Sequence, residues 1–186
     1  MKEKVYEHSH IIYNHIALIQ QTIVFGYTAL ETFANLSIPD NFVYSIVNNK
    51  KITEVYNKDN IERWISLNDK LSNILVEVYK TDNITKKQLW SEFLQLERYR
   101  HEIIHQKSVE HVSFYRKYFK NNIYKFLSVP ENIIKFFYEQ VERQGKTNRI
   151  WSWVNTDVKS IPTKYVAMEF FSQTKVIGNL YEGKMK

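Results

Sequence analysis

Leu96-Glu97-Arg98-Tyr99-Arg100-His101-Glu102-Ile103-Ile104-His105 admits two incompatible readings. One is Arg-x4-His: Arg100 and His105 stand near the end of a long amphipathic helix, with polar His101 directly after the arginine. The other is His-Glu-x-x-His: His101 and His105 are metal ligands and Glu102 is a base, the zinc-protease signature. The hydrophobic stripe helps to decide. A helix is expected from about Thr85 to about Gln106, opened by a capping box of Thr85 with Gln88. Its apolar positions are Leu89, Phe93, Leu96, Ile103 and Ile104. At about 100° per residue, Arg100 falls near the centre of that stripe. An arginine there is either buried against a carboxylate or meets an anion at an interface, because an unpaired buried charge is too costly. His105 lies roughly 140° further round, with His101 between them in angle. Arg100 and His105 can therefore converge on one anion-sized space at the edge of the stripe.

Working outward, the upstream chain reads as further helices. From about His8 to about Leu36, the positions Ile12, Ile16, Ile19, Ile23, Tyr27, Leu30 and Ala34 alternate steps of three and four, a bundle-type pattern stopped by Pro39. His8, His10 and His15 point in different directions on that helix and are expected to be solvated or locally capping. Glu31 sits on the flank of the stripe. It is either the carboxylate that neutralises or orients Arg100, or a surface glutamate. Residues 40–58 read as a polar connection. A second helix is expected from Asp59, carrying Ile61, Trp64, Ile65, Leu71, Ile74, Leu75 and Val78. Beyond the motif, Ser108 can cap a fourth helical stretch with Tyr115, Tyr118, Ile123 and Leu127. Pro130 opens a fifth, which Gly145 follows.

The chain has 186 residues, enough for one domain, 1–186, with a core bundle over about 8–144 and a C-terminal extension over 145–186. Glycine numbers 4 and proline 3, against 15% aromatics, which fits helices on short connections and an all-α, up-and-down antiparallel bundle of four to five main helices. Cysteine is absent and no apolar run reaches the roughly 20 residues of a membrane span, so a cytoplasmic protein is expected. The net charge of +6 is uneven. Residues 1–109 hold 13 cations and 13 anions, whereas residues 110–186 hold 13 cations and 7 anions. A basic C-terminal half suggests a polyanionic partner, although a coding bias toward lysine would also produce it. Lys107, Arg116, Lys146 and Arg149 are the candidate contacts for such a polyanion. Lys146, Arg149 and Lys159 bracket Trp151 and Trp153, which could stack bases but are more readily read as core.

Three features oppose the zinc reading. His111 stands where a longer zinc-protease pattern has its third ligand, but Ser108 replaces the glycine that turns the chain toward it. The β-rich half that precedes the motif in such enzymes has no counterpart among these amphipathic helices. Arg100 would also put a cation beside a dication.

Arg100-His101-Glu102-Ile103-Ile104-His105 resembles the Arg-x4–6-His motif of the HEPN superfamily, including the polar residue after the arginine. The segment Ala29-Leu30-Glu31-Thr32-Phe33-Ala34-Asn35 resembles the early helix that packs beside it. The resemblance spans roughly residues 8 to 144. It implies a HEPN-type bundle and a metal-independent endoribonuclease that needs no cofactor, acting as a homodimer with a composite site. It also implies a toxin or anti-phage role and a possible antitoxin or regulatory partner protein. Arg100 and His105 take the catalytic positions and His101 the polar one, while Glu31 corresponds only loosely and Glu102 is a supporting residue. Where toxins of this kind paired with a nucleotidyltransferase carry a tyrosine two residues after the histidine, this chain has Lys107. The chemistry fits independently. RNA supplies its own 2′-hydroxyl nucleophile, a histidine moves the proton, and a forked guanidinium stabilises charge on phosphate. The alternatives from other classes are a non-catalytic module using Arg100 and His105 as an anion clamp, and a purely structural role in which Arg100 pairs with Glu31 and His105 caps the helix end.

Overall fold

The computed structural model describes residues 9–47, 49–105 and 113–145, all within one compact unit, Met1–Trp151. The chain is mostly helical. Helix α1, Ser9–Ser37, buries Ile19, Ile23, Tyr27, Leu30, Phe33 and Ala34 along one face. It ends before Pro39, which disfavours helical backbone at Ile38. Although α1 has 29 residues, no helix among the described residues is long and apolar enough to cross a membrane.

The expected polar connection over residues 40–58 is instead a hairpin. Strands β1, Tyr44–Val47, and β2, Thr53–Tyr56, pair antiparallel with Tyr44 opposite Tyr56 and Val47 opposite Thr53. Tyr44 and Tyr56 pack against the core, whereas Val43, Val47 and Val55 face outward. The alternation is short and lies within an Asn-rich, polar stretch, so the strand period is faint.

The expected second helix is broken. Asn57, rather than Asp59, caps α2, Lys58–Trp64, its side chain accepting from the Asn60 N–H at 3.0 Å. Ile65 is extended, and Ser66 restarts the chain as α3, Leu67–Asp69, by accepting from the Asp69 N–H. A π-helical turn, Lys70–Ile74, then leads to α4, Leu75–Tyr79. Trp64, expected on the apolar stripe, is the last residue of α2 and is 69% exposed. Lys70 is fully buried in the π turn, where Nζ donates to Asn35 Oδ1 at 2.8 Å and to the Glu62 carbonyl at 3.0 Å. Beyond α4, Lys80 adopts a left-handed conformation. The Gln144 side chain donates to the Tyr79 and Lys80 carbonyls there, tying this turn to a residue more than 60 positions further along the chain.

The capping box is also absent. Asn83, not Thr85, accepts from the Thr85 N–H and opens a 3-10 turn, Ile84–Lys86. Helix α5, Gln88–Ile104, follows an extended Lys87 with no side-chain cap. The fourth stretch is segmented into α6, Ser113–Arg116, a 3-10 turn, Lys117–Phe119, and α7, Ile123–Leu127. Helix α8, Val129–Arg143, carries Pro130 in its first turn and buries Ile133, Phe137 and Val141. Gly145 follows with a positive φ of 69°, as a helix C-terminus favours.

Helices α1, α5 and α8 pack on one another to form the core. Gly26 lets α1 and α8 approach closely, since a Cβ there would stand 3.0 Å from Pro130 Cγ. His15, expected to be solvated or locally capping, places Nε2 3.1 Å from the Tyr118 carbonyl oxygen and its ring 5.0 Å from Phe119. Tyr118 is itself fully buried beneath α1.

Burial pushes the Tyr118 phenol up to about 12, with the nearby Gln20 side chain opposing the effect and the Glu102 charge adding to it. The folded protein therefore keeps a proton that the unfolded chain sheds near pH 10. This contribution is fully present below pH 10 and is lost as pH rises toward 12, a loss of roughly 2 kcal/mol. Lys70 has the opposite sign. Burial lowers its pKa, so its contribution to stability rises with pH below about 10.5 and is then constant. Urea midpoints measured from pH 9 to 12 should fall above pH 10, and less steeply in Tyr118→Phe. An unchanged slope in that variant would exclude Tyr118 as a source.

Candidate active site

The site forms where α5 crosses the middle of α1. Phe93, Leu96 and Tyr99 fix the rotation of α5 by burying one face. Arg100 then falls at the edge of that face, half-buried and directed at α1. Its guanidinium lies over the Tyr27 ring, 5.3 Å from the centroid. The Tyr27 hydroxyl donates to Glu97 Oε1 at 3.0 Å, joining the two helices. Glu97 lies one turn before Arg100, the spacing that puts two residues on one helix face. The Phe93 ring lies 6.3 Å from that of Tyr27 and nearly parallel to it.

An open cleft of about 510 Å³ lies over these residues, lined by Tyr27, Leu94, Glu97, Arg98, Arg100 and His101. His101 is exposed at its mouth, and its ring centroid is 4.6 Å from that of His105, also exposed. His105 is the C-cap residue of α5, its N–H donating to the His101 carbonyl at 2.9 Å. The helix end thus presents one guanidinium and two imidazoles on adjacent faces. Among the described residues, Arg100 has no ion pair. Its charge is felt by Tyr27, whose phenol is raised by burial first and by Glu97 and Glu31 next, with Arg100 opposing.

No family model, curated protein or solved structure matches this chain. What the site can do therefore rests on its own geometry.

The pairing of Glu31 with Arg100 does not form. Glu31 is half-buried one turn beyond Tyr27, and its charge acts on Tyr27 and Lys70 instead. The reason is spatial: Tyr27 occupies the place between α1 and the guanidinium, and Glu97 supplies the carboxylate that binds the tyrosine. Glu102 points to the other side of α5, where it pairs with Lys117, whose ammonium stands 5.0 Å from the Tyr99 ring centroid. That engagement removes it from the cleft and from the role of a free base beside two zinc ligands. Among the described residues, no three His, Asp or Glu side chains gather as a metal site requires. Arg116 is exposed on α6 and does not line the cleft. Lys107, His111, Lys146 and Arg149 lie outside the described residues.

Tyr27 and Glu97 are the site residues that the sequence did not single out. Tyr27 was legible only as a core position, whereas Glu97, one turn from Arg100 on the same helix, carried a local signal. Lys117 carried none.

Proposed function

We propose that the chain is a metal-independent endoribonuclease with a HEPN-type bundle, cleaving single-stranded RNA and serving as a toxin or anti-phage effector. One observation carries this reading: Arg100 is half-buried without an ion pair among the described residues at an open cleft that exposed His101 also lines, and the His105 ring lies 4.6 Å from that of His101. A partly desolvated cation stabilised only by an aromatic face retains its capacity to bind an anion. A scissile phosphate fits that need, and its neighbouring 2′-hydroxyl supplies the nucleophile.

In the proposed reaction His105 takes the 2′-hydroxyl proton as the 2′-oxygen attacks phosphorus. The bond from phosphorus to the 5′-oxygen breaks, and the leaving oxygen is protonated, with His101 the nearest second imidazole. Arg100 holds the phosphate oxygens on which charge accumulates. The products are a 2′,3′-cyclic phosphate and a 5′-hydroxyl.

The test is incubation of purified protein with mixed single-stranded RNA in excess EDTA, beside folded His105→Ala protein. Cleavage in EDTA with cyclic-phosphate ends, falling by at least a hundredfold in the variant, is the expected result. Plain 3′-hydroxyl ends would refute the mechanism. Binding of RNA without turnover by either protein would favour an anion-binding module.

A further inference from the structure

The cleft over Arg100 holds a charge that a phosphate does not need. Glu97 lines it together with Arg98, Arg100 and His101. A carboxylate repels a phosphate beside it, so its place in an anion-binding cleft calls for a second ligand group that donates hydrogen bonds. One Glu97 oxygen, Oε1, accepts from the Tyr27 hydroxyl at 3.0 Å. Burial, and then Glu97 itself, keep that hydroxyl protonated well beyond the ordinary range of a phenol, so the donor persists. Among the described residues no hydrogen bond or ion pair reaches the other oxygen, Oε2. An ionised carboxylate accepts at about four positions. The tyrosine therefore fixes the carboxylate while leaving most of its lone pairs to the cleft.

Leu94 and Arg98 also line the cleft. They are four residues apart and neighbours on the surface of α5. Leu94 is 40% exposed and Arg98 is exposed. An apolar side chain beside a flat guanidinium is a surface on which a base lies, because arginine planes stack on the splayed bases of single-stranded RNA.

We infer, on the ribonuclease reading above, that this part of the cleft selects a guanine next to the scissile phosphate. Glu97 accepts from guanine N1–H and N2–H, and Leu94 and Arg98 lie against the base. The choice of base follows from its donors. On its pairing edge guanine sets N1–H beside N2–H, two donors side by side, which match the two oxygens of a carboxylate. Adenine and cytosine each present one amino group next to an acceptor nitrogen. Uracil presents one N–H between two carbonyl oxygens. Each of these three would set a lone pair against a group that only accepts. Glu97 and Arg100 are three residues apart on α5, so the base acceptor and the phosphate binder are neighbours on one helix surface. Glu97 is a specificity residue here and takes no part in breaking the bond.

Binding tests this apart from cleavage. The probes are labelled 2′-O-methyl oligouridylates, whose nucleophile is blocked, each carrying one guanine, inosine, adenine or cytosine. The full chain should bind the guanine probe roughly tenfold or more tightly than the other three. Inosine lacks only the N2 amino group, so it isolates one of the two bonds in the unaltered protein and does not depend on any variant folding. Glu97→Gln keeps an oxygen for Tyr27 but puts a donor where Oε2 accepts. It should melt with the parent and bind guanine and inosine alike, an effect that a merely structural Glu97 would not produce. On RNA of mixed sequence, guanine should stand beside most cuts made by the parent and not by Glu97→Gln. Equal binding of guanine and inosine by the parent would overturn the inference, as would discrimination that survives in Glu97→Gln or no binding of any probe. Cleavage by the parent without guanine preference would also overturn it and leave the ribonuclease reading standing. Guanine-selective binding abolished by Glu97→Gln, without cleavage of unmodified RNA, would uphold the base contact and refute the ribonuclease instead.

Discussion

Arg100→Ala should reduce RNA cleavage by roughly a hundredfold to a thousandfold, the scale of losing one preorganised charge stabiliser, while the protein remains folded. The two halves of this expectation rest on the same geometry. Arg100 lies over Tyr27 and at the cleft, and has no ion pair among the described residues. Its removal therefore leaves no buried carboxylate uncompensated, which is the usual source of a large stability loss. What is lost structurally is a cation–π contact worth about 0.5–1 kcal/mol at a partly exposed site. Arg100→Lys should recover little activity, because an ammonium cannot reproduce the planar fork that grips two phosphate oxygens. Single-turnover cleavage rates and thermal melts on the same preparations check both halves. Unchanged cleavage by Arg100→Ala would refute the proposed role. A melting temperature lowered by ten degrees or more would make Arg100 a structural residue instead.

The second large effect is on stability. Phe93→Ala should cost about 3–5 kcal/mol, the range for truncating a buried phenylalanine. Phe93 has no exposed surface, and its ring lies 6.3 Å from that of Tyr27 and 5.0 Å from that of Trp90. In a chain of this length each kcal/mol moves the melting temperature by about 2–4 °C, so a fall of roughly 10 °C is expected. The cavity would open directly beneath Tyr27, and through Tyr27 beneath Arg100. Cleavage by the residual folded protein should therefore also drop, unlike in Ile133→Val, a core change away from the cleft that costs about 1 kcal/mol. Calorimetric melts give the stability term, and rates measured well below the transition give the coupling. A Phe93→Ala melting temperature within 3 °C of the parent would show that the core between α1 and α5 closes over the void.

Much of this arrangement was set by local sequence. The three-and-four spacing from Ile16 to Ala34 makes α1, and Pro39 stops it. Leu89, Phe93 and Leu96 make α5 and fix which way Arg100 turns. Pro130 and Gly145 bracket α8. These features are legible because helical periodicity and chain-breaking stereochemistry act within a few residues. The helical wheel put Arg100 near the centre of the stripe, whereas burial of Tyr99 turns α5 so that Arg100 sits half-buried at its edge, and its partner was not readable at all. A helical wheel gives an angle and does not say what stands opposite. Tyr27 and Glu97 meet across 70 residues of chain, and the hydroxyl between them excludes Glu31 from the guanidinium. Lys117 captures Glu102 from a segment whose own sequence gives no sign of it. The hairpin forms because Tyr44 and Tyr56 find each other and the core, although neither strand is long enough to declare a period of two. Lys70 is buried because Asn35 and the Glu62 carbonyl are brought to it by two other elements. Sequence by itself determined where α1, α5 and α8 run and which of their residues enter the core, since that follows from short-range geometry. Only the tertiary structure decided which charges are paired and which are left open, because that depends on groups far apart in the chain occupying the same few ångströms.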